Sequence, residues 1–202
     1  MQGQLDTKLN AAGIEQARLA ASALEEVPFQ KAFSSDLDRA AKTADIILQK
    51  HPGVPLDKHE ALRERNLGDW QGQKLEGRSS TAPWNAEQLN DFNLRAERWW
   101  NSIILTYVES LVREDPMHRK ADLPANVLVV SHGGYISRLI ANLLGSGKMK
   151  CAEGVVVHGK CRNASISVID ILESGEAALV SYSDTTHLKV DLVQTNADVI
   201  DQ

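Results

Sequence analysis

The chain has 202 residues, 43% of them apolar and 24% charged, with a formal net charge of -5. That is enough chain for a sizeable core in a single soluble domain, and the acidic balance without a basic cluster excludes general nucleic-acid binding. No apolar run reaches membrane-spanning length, and Met1-Gln2-Gly3-Gln4 lacks the charged and apolar regions of a signal peptide, so a cytoplasmic protein without a membrane partner is expected.

In chain order, the first residues form a polar loop, and Asn10 then serves as an N-cap. Ile14, Ala17, Ala21 and Leu24 fall at helical spacing, which predicts a helix over residues 11–26 that Pro28 closes. Lys31-Ala32-Phe33-Ser34 reads as a short strand. Ser35-Asp36 starts a second helix whose apolar stripe is Leu37, Ala40, Ala41, Ala44, Ile47 and Leu48. Arg39 sits in the first turn of that helix, where the macrodipole disfavours a cation. A solvated surface arginine accounts for it, and so does an anion bound at the turn.

Residues 53–62 read as an extended connection. The loop that follows carries Glu64 between Arg63 and Arg65 and is bounded by Gly68 and Gly72. A solvated charge cluster is the bland account of it. Residues 73–86 have no periodicity and read as a surface insertion. From residue 87 to 113, Leu89, Phe92, Ala96, Trp99, Ile103, Tyr107 and Leu111 recur at helical steps, predicting one long helix with an aromatic core face.

Val127-Leu128-Val129-Val130 is the central signal: four apolar β-formers without alternation, as in a strand covered on both faces. It runs into Ser131-His132-Gly133-Gly134 and a helical pattern over residues 135–144. A strand-to-helix turn of this kind aims free backbone N–H groups at a ligand beyond the sheet edge, and two glycines allow close approach. A tight turn with a half-buried histidine is the alternative. Residues 165–172 and 177–182 flank Glu173-Ser174-Gly175-Glu176 as a hairpin.

Other motifs fall short. His132-Gly133-Gly134 has no G-x-S-x-G nucleophile to serve, and Gly145-Ser146-Gly147-Lys148 lacks the rest of a P-loop. Cys151 and Cys161 have neither CxxC nor zinc spacing and read as reduced structural thiols; no cluster of Asp and His ligands indicates a metal. What remains is an anion site built from Arg39, His132, the turn at Gly133 and Gly134, and Glu64. Arginine and protonated histidine suit phosphoryl oxygens, and a carboxyl group suits proton delivery to a leaving oxygen.

Several stretches in order resemble the histidine phosphatase superfamily, which includes phosphoglycerate mutases. They are Gln2 to Leu9 with Gly13 and Gln16-Ala17, Ser34 to Ala40 with Thr43-Ala44, Leu62-Arg63-Glu64-Arg65 with Gly68 and Trp70-Gln71-Gly72, Val130 to Gly134, and Asn163 to Ile166. The resemblance implies an α/β three-layer sandwich with a mostly parallel central sheet, and a phosphohistidine intermediate without metal or other cofactor. It also implies that Arg39 and His132 hold the phosphoryl group of a small phosphorylated substrate, that Glu64 protonates the leaving oxygen and then activates water, and that Gln4, Gly3 and the backbone at Gly133 line the substrate. The Gln-Gly-Gln start and short insertion look most like fructose-2,6-bisphosphatases and TIGAR-like phosphatases, with broad-specificity phosphatases close behind.

The family opens with a strand and an Arg-His-Gly nucleophile ahead of the position of Gln2, which these residues do not contain. The expectation is a single, N-terminally incomplete domain over residues 1–202 whose first strand is missing, with an open inner sheet edge that invites a second copy into a homodimer. Val155-Val156-Val157-His158-Gly159 is the other strand-like run ending in His-Gly, without the preceding arginine. Two readings follow: an enzyme sequence missing its beginning, or a non-catalytic member that binds phosphorylated ligands or partners through the residual site.

Overall fold

The computed structural model describes residues 2–73, 81–113, 125–189 and residue 192. Helix α1 (Ala11–Ala23) starts where expected, with the Gly13 N–H donating to Asn10 Oδ1 at 2.9 Å. Its buried face joins Gln16 to the small residues Gly13, Ala17, Ala20 and Ala21. That lets it lie close against α2 (Asp38–Leu48), which presents Ala40, Ala41 and Ala44.

Strand β1 (Phe29–Ser35) is longer than the sequence pattern suggests, and the extended connection contains a strand, β2 (Leu56–His59). β1 lies between β2 and β3 (Asn126–Val130), parallel to both, with Ala32 opposite Leu56 on one side and Leu128 on the other. α1 and α2 pack on one face of this sheet through Ala32 and Leu128, and α3 (Leu89–Trp99) and α5 (Gly133–Gly145) pack on the opposite face through Phe33 and Val127. The fold is the expected three-layer α/β sandwich with a parallel central sheet.

The expected long helix is interrupted. α3 passes into a π-helical turn at Trp100–Leu105 before α4 (Thr106–Arg113). A π turn holds an extra residue and rotates the buried face. Phe92, Ala96 and Trp99 form the expected core stripe, and beyond the shift Trp100 and Ile104 are buried as well. Of the expected surface insertion, residues 74–80 lie outside the described residues.

A second sheet has the order β4-β6-β5. The hairpin forms as expected from β5 (Ile166–Ile171) and β6 (Ala177–Asp184), antiparallel, with Ile171 opposite Ala177. The short β4 (Met149–Cys151), without a periodic signal in the sequence, pairs parallel to β6. Residues 155–158 contain no strand; His158 is exposed in an irregular segment. Among the described residues, β3 is bonded only to β1 and β5 only to β6. β3 is covered on both faces as expected, with Val127 in one cluster and Leu128 in the other, but Val129 is 37% exposed. The reason is position, because among the described residues β3 is the last strand of its sheet. No helix among the described residues is long and apolar enough to cross a membrane.

Candidate functional site

β1 and β3 are parallel neighbours, with Ser34 opposite Val130, so both chains leave the sheet at the same edge. This is the edge where open α/β sheets collect ligand groups. Ser35 ends β1, and His132 caps α5 just beyond β3; His132 Nε2 lies 2.9 Å from Ser35 Oγ. Ser35 Oγ also accepts the Leu37 N–H at 3.3 Å, which ties the imidazole to the start of α2. His132 is 7% exposed. Burial, reinforced by the charges of Arg39 and Arg95 and opposed by Asp36, pushes its pKa down to about 3. At neutral pH the imidazole is therefore neutral, not the protonated ring that the sequence argument favours. A bound phosphoryl dianion would supply the opposite charge that raises this pKa.

Glu64 reaches the same helix terminus. Its Oε2 accepts the Gly134 N–H at 2.9 Å, and its Oε1 accepts its neighbour Arg65's N–H at 2.8 Å. The acceptor at the glycine turn is the protein's own Glu64 side chain. The first amides of a helix lack intrahelical partners, so a side-chain oxygen that accepts from them is favoured there. Gly134 leaves room for this contact: a Cβ would lie 2.6 Å from both Glu64 carboxylate oxygens and would displace that side chain. A Cβ on Gly133 would lie 2.7 Å from the Cys161 carbonyl oxygen, so that glycine serves close backbone packing.

Arg39 is buried and points toward the N-terminal loop. Its Nη1 donates to the Leu5 carbonyl at 2.7 Å and its Nη2 to the Gly3 carbonyl at 2.8 Å. A buried guanidinium needs acceptors, and these carbonyls supply them. Asp6 Oδ1 accepts the Asp38 N–H at 2.7 Å, placing an acid at the start of α2. Gly3 adopts φ +54°, and a Cβ there would meet Gln71 Oε1 at 2.6 Å. Gln4 Nε2 donates to the Glu64 carbonyl at 3.0 Å, and the Gln4 N–H donates to Gln71 Oε1 at 2.6 Å. The loop at residues 2–9 thus joins Arg39 to the Glu64 segment.

Residues 1–185 match the histidine phosphatase superfamily, branch 1. The chain belongs to that family. It is 37% identical over 151 residues to a glucosyl-3-phosphoglycerate phosphatase of Mycolicibacterium vanbaalenii, covering 72% of this chain and 67% of the relative. It is 26% identical over 194 residues to a broad-specificity phosphatase of Saccharomyces cerevisiae, covering 93% and 80% respectively. In structure it is similar to a mycobacterial glucosyl-3-phosphoglycerate phosphatase solved with inorganic phosphate: TM-score 0.67, 27% identity, 94% of this chain and 93% of that one. These homologues are phosphatases, and the likeness runs to glucosyl-3-phosphoglycerate phosphatases and related enzymes, not to TIGAR-like enzymes specifically.

Within this histidine phosphatase fold the structure brings Arg39, Glu64, His132, Gly133, Gln4 and Gly3 into one connected region. Other histidines stand elsewhere: His51 packs edge-on against Phe29, His59 packs edge-on against Phe33 and Trp99, and His187 bonds the Ala164 carbonyl. His118 lies outside the described residues. No group of three or more His, Cys, Asp or Glu side chains suited to hold a metal occurs among the described residues.

Sequence reasoning assigned no role to the charged pairs that frame this region. Arg63 grips Asp36 through two hydrogen bonds, one of them Nε to Oδ1 at 2.8 Å, and this contact chiefly lowers the Asp36 pKa. Arg95 pairs with Glu87 through Nε to Oε1 and Nη2 to Oε2, both at 2.9 Å. The signal for Arg95 was present in the pattern: residue 95 falls beside Phe92, Ala96 and Trp99 on the buried face of α3, where an unpaired cation is unfavourable.

Proposed function

We propose that this chain carries the phosphoryl-binding and proton-transfer side of a metal-independent phosphomonoester hydrolase site. The observation that carries the reading is the first turn of α5, where His132 is the N-cap residue, its imidazole 2.9 Å from Ser35 Oγ, and the Gly134 N–H donates to Glu64 Oε2 at 2.9 Å. A carboxyl group beside a helix terminus and a histidine suits a reaction that places negative charge on phosphoryl oxygens and needs a proton on the departing oxygen.

In this reading a nucleophilic histidine nitrogen, from an Arg-His-Gly segment of the kind found in the family, attacks phosphorus as the bond to the leaving oxygen breaks. Protonated Glu64 delivers its proton to that oxygen, and the alcohol departs. Water then attacks the phosphohistidine as the Glu64 carboxylate takes its proton, releasing inorganic phosphate. Arg39 and His132 bind the transferring group, joined by the Gly133 backbone, and Gly3 and Gln4 line the substrate. Arg39 must exchange at least one of its carbonyl acceptors for a phosphoryl oxygen. Phosphorylated sugars and glycerates are the favoured substrate class, because the related glucosyl-3-phosphoglycerate phosphatases are named for such a compound.

The test is turnover of an aryl phosphate and of a sugar phosphate by the 202-residue chain, with and without an added upstream Arg-His-Gly segment. The expected result is turnover only with that segment, and in that form Glu64→Gln costs on the order of a hundredfold more on the sugar phosphate than on the activated aryl ester. Equal losses on both substrates remove Glu64 from proton transfer. Phosphate binding without turnover in either form favours the alternative of a non-catalytic binding member.

A further inference from the structure

We infer that Arg95 and Glu87 are positioning residues that hold Glu64 against α5. The inference rests on the reading of Glu64 as the proton-transferring group. Arg95 enters from α3, outside the loop that carries Glu64. Beyond its paired contact with Glu87, Arg95 Nη1 donates to the carbonyls of Ala61 and Arg63 at 2.8 Å each, and its Nη2 donates to the Glu64 carbonyl at 3.3 Å. Glu87 completes the frame. Its Oε2 accepts the Asn66 N–H at 3.0 Å, its carbonyl accepts Arg65 Nε at 2.8 Å, and its own N–H donates to the Asn66 carbonyl at 2.9 Å.

Glu64 is thereby bracketed by bonds to residues 61, 63, 64, 65 and 66, all made by two side chains and one backbone unit. The clasp also touches the helix that receives the carboxylate. The Arg95 guanidinium stands 5.0 Å from the Phe92 ring centre and 5.8 Å from that of Tyr135, the residue after Gly134. Only a planar fork fits this set of acceptors, because Glu87 is bound bidentately while Nη1 bridges two carbonyls. A lysine would keep the charge and lose the geometry.

The Gly134 N–H gives a direct readout. It lies in the first turn of α5, has no intrahelical partner, and owes its protection from solvent exchange to Glu64. Amide hydrogen exchange in the 202-residue chain compares Arg95→Lys and the near-isosteric Glu87→Gln with the unsubstituted protein, with Glu64→Ala marking complete loss of the contact. The expected result is at least tenfold faster exchange at Gly134 and Arg65, with the Ala32 amide in β1 unchanged. Exchange at Gly134 and Arg65 that is unaltered, or faster everywhere by the same factor, overturns the inference.

In a form that turns over, both variants lower kcat/KM for an alkyl phosphate at least tenfold more than for an activated aryl phosphate, in parallel with Glu64→Gln. Losses equal on both substrates, while Glu64→Gln still discriminates, defeat the clasp and leave the phosphatase reading standing. Absence of turnover in every form defeats the phosphatase reading, and the exchange comparison still decides whether the clasp holds Glu64.

Discussion

The two sheets of this protein differ in their cover. β2-β1-β3 has helices on both faces, with Ala32 and Leu128 in one cluster and Phe33 and Val127 in the other. β4-β6-β5 turns Ile169, Ile171 and Leu179 into the cluster it shares with α3 and α5, while Val168 and Val180 on its other face are 42% and 41% exposed. The difference explains where the candidate site stands. Both strand ends that deliver Ser35 and His132 leave the doubly covered sheet, whose neighbours limit their movement. The second sheet contributes to the shared core, and its Tyr182 Oη reaches Ser137 of α5 at 3.3 Å.

The largest expected effect breaks the shared core. Phe92→Ala removes a fully buried ring from the cluster that joins both sheets and is expected to cost about 3–5 kcal/mol in denaturant unfolding, whereas Val180→Ser on the open face should stay within about 0.5 kcal/mol. Comparable losses at the two positions would erase the distinction between covered and open faces.

Gly134→Ala sharpens the comparison within the site. Alanine ordinarily favours a helix over glycine by about 1 kcal/mol, so stability should hold or rise. The added Cβ, however, meets both Glu64 oxygens at 2.6 Å and must displace them. In a form that turns over, the expected loss is on the order of a hundredfold on poor leaving groups, a separation of activity from stability that an ordinary packing defect does not produce.

The third effect is a pH dependence. His132 has a folded-state pKa of about 3, below its ordinary 6.5, so between these values the unfolded chain binds a proton that the folded chain refuses. Stability from this group is complete above pH 6.5 and declines as the pH falls toward about 3, by at most about 1.4 kcal/mol per unit. His132→Asn should flatten that part of the profile in thermal unfolding scans at low ionic strength. Inorganic phosphate should flatten it also if the anion binds beside the imidazole, because a protonated ring then gains a partner in the folded state. An unchanged slope in His132→Asn would assign the acid loss to other groups, such as Asp36, whose lowered pKa has the same sign.

Much of this protein is determined locally. Asn10 as a cap, the helical spacing of Ile14, Ala17, Ala21 and Leu24, the hairpin around Gly175 and the turn from β3 into α5 each depend on residues a few positions apart, and such patterns are legible in a single sequence. So is the ordered set of motifs that places Arg39, Glu64 and His132 in one family. The tertiary structure decided what those side chains touch. Glu64 and Gly134 are 70 positions apart, His132 and Ser35 97, and Arg95 and Glu64 31. Bonds of that separation depend on how α3, α5 and two strand ends pack, which periodicity does not encode. The same holds for the state of His132, whose neutrality comes from burial and two arginines brought near it by the fold. It holds for β3 too: its composition reads as a fully buried strand, yet its exposure is set by which neighbours actually pair with it.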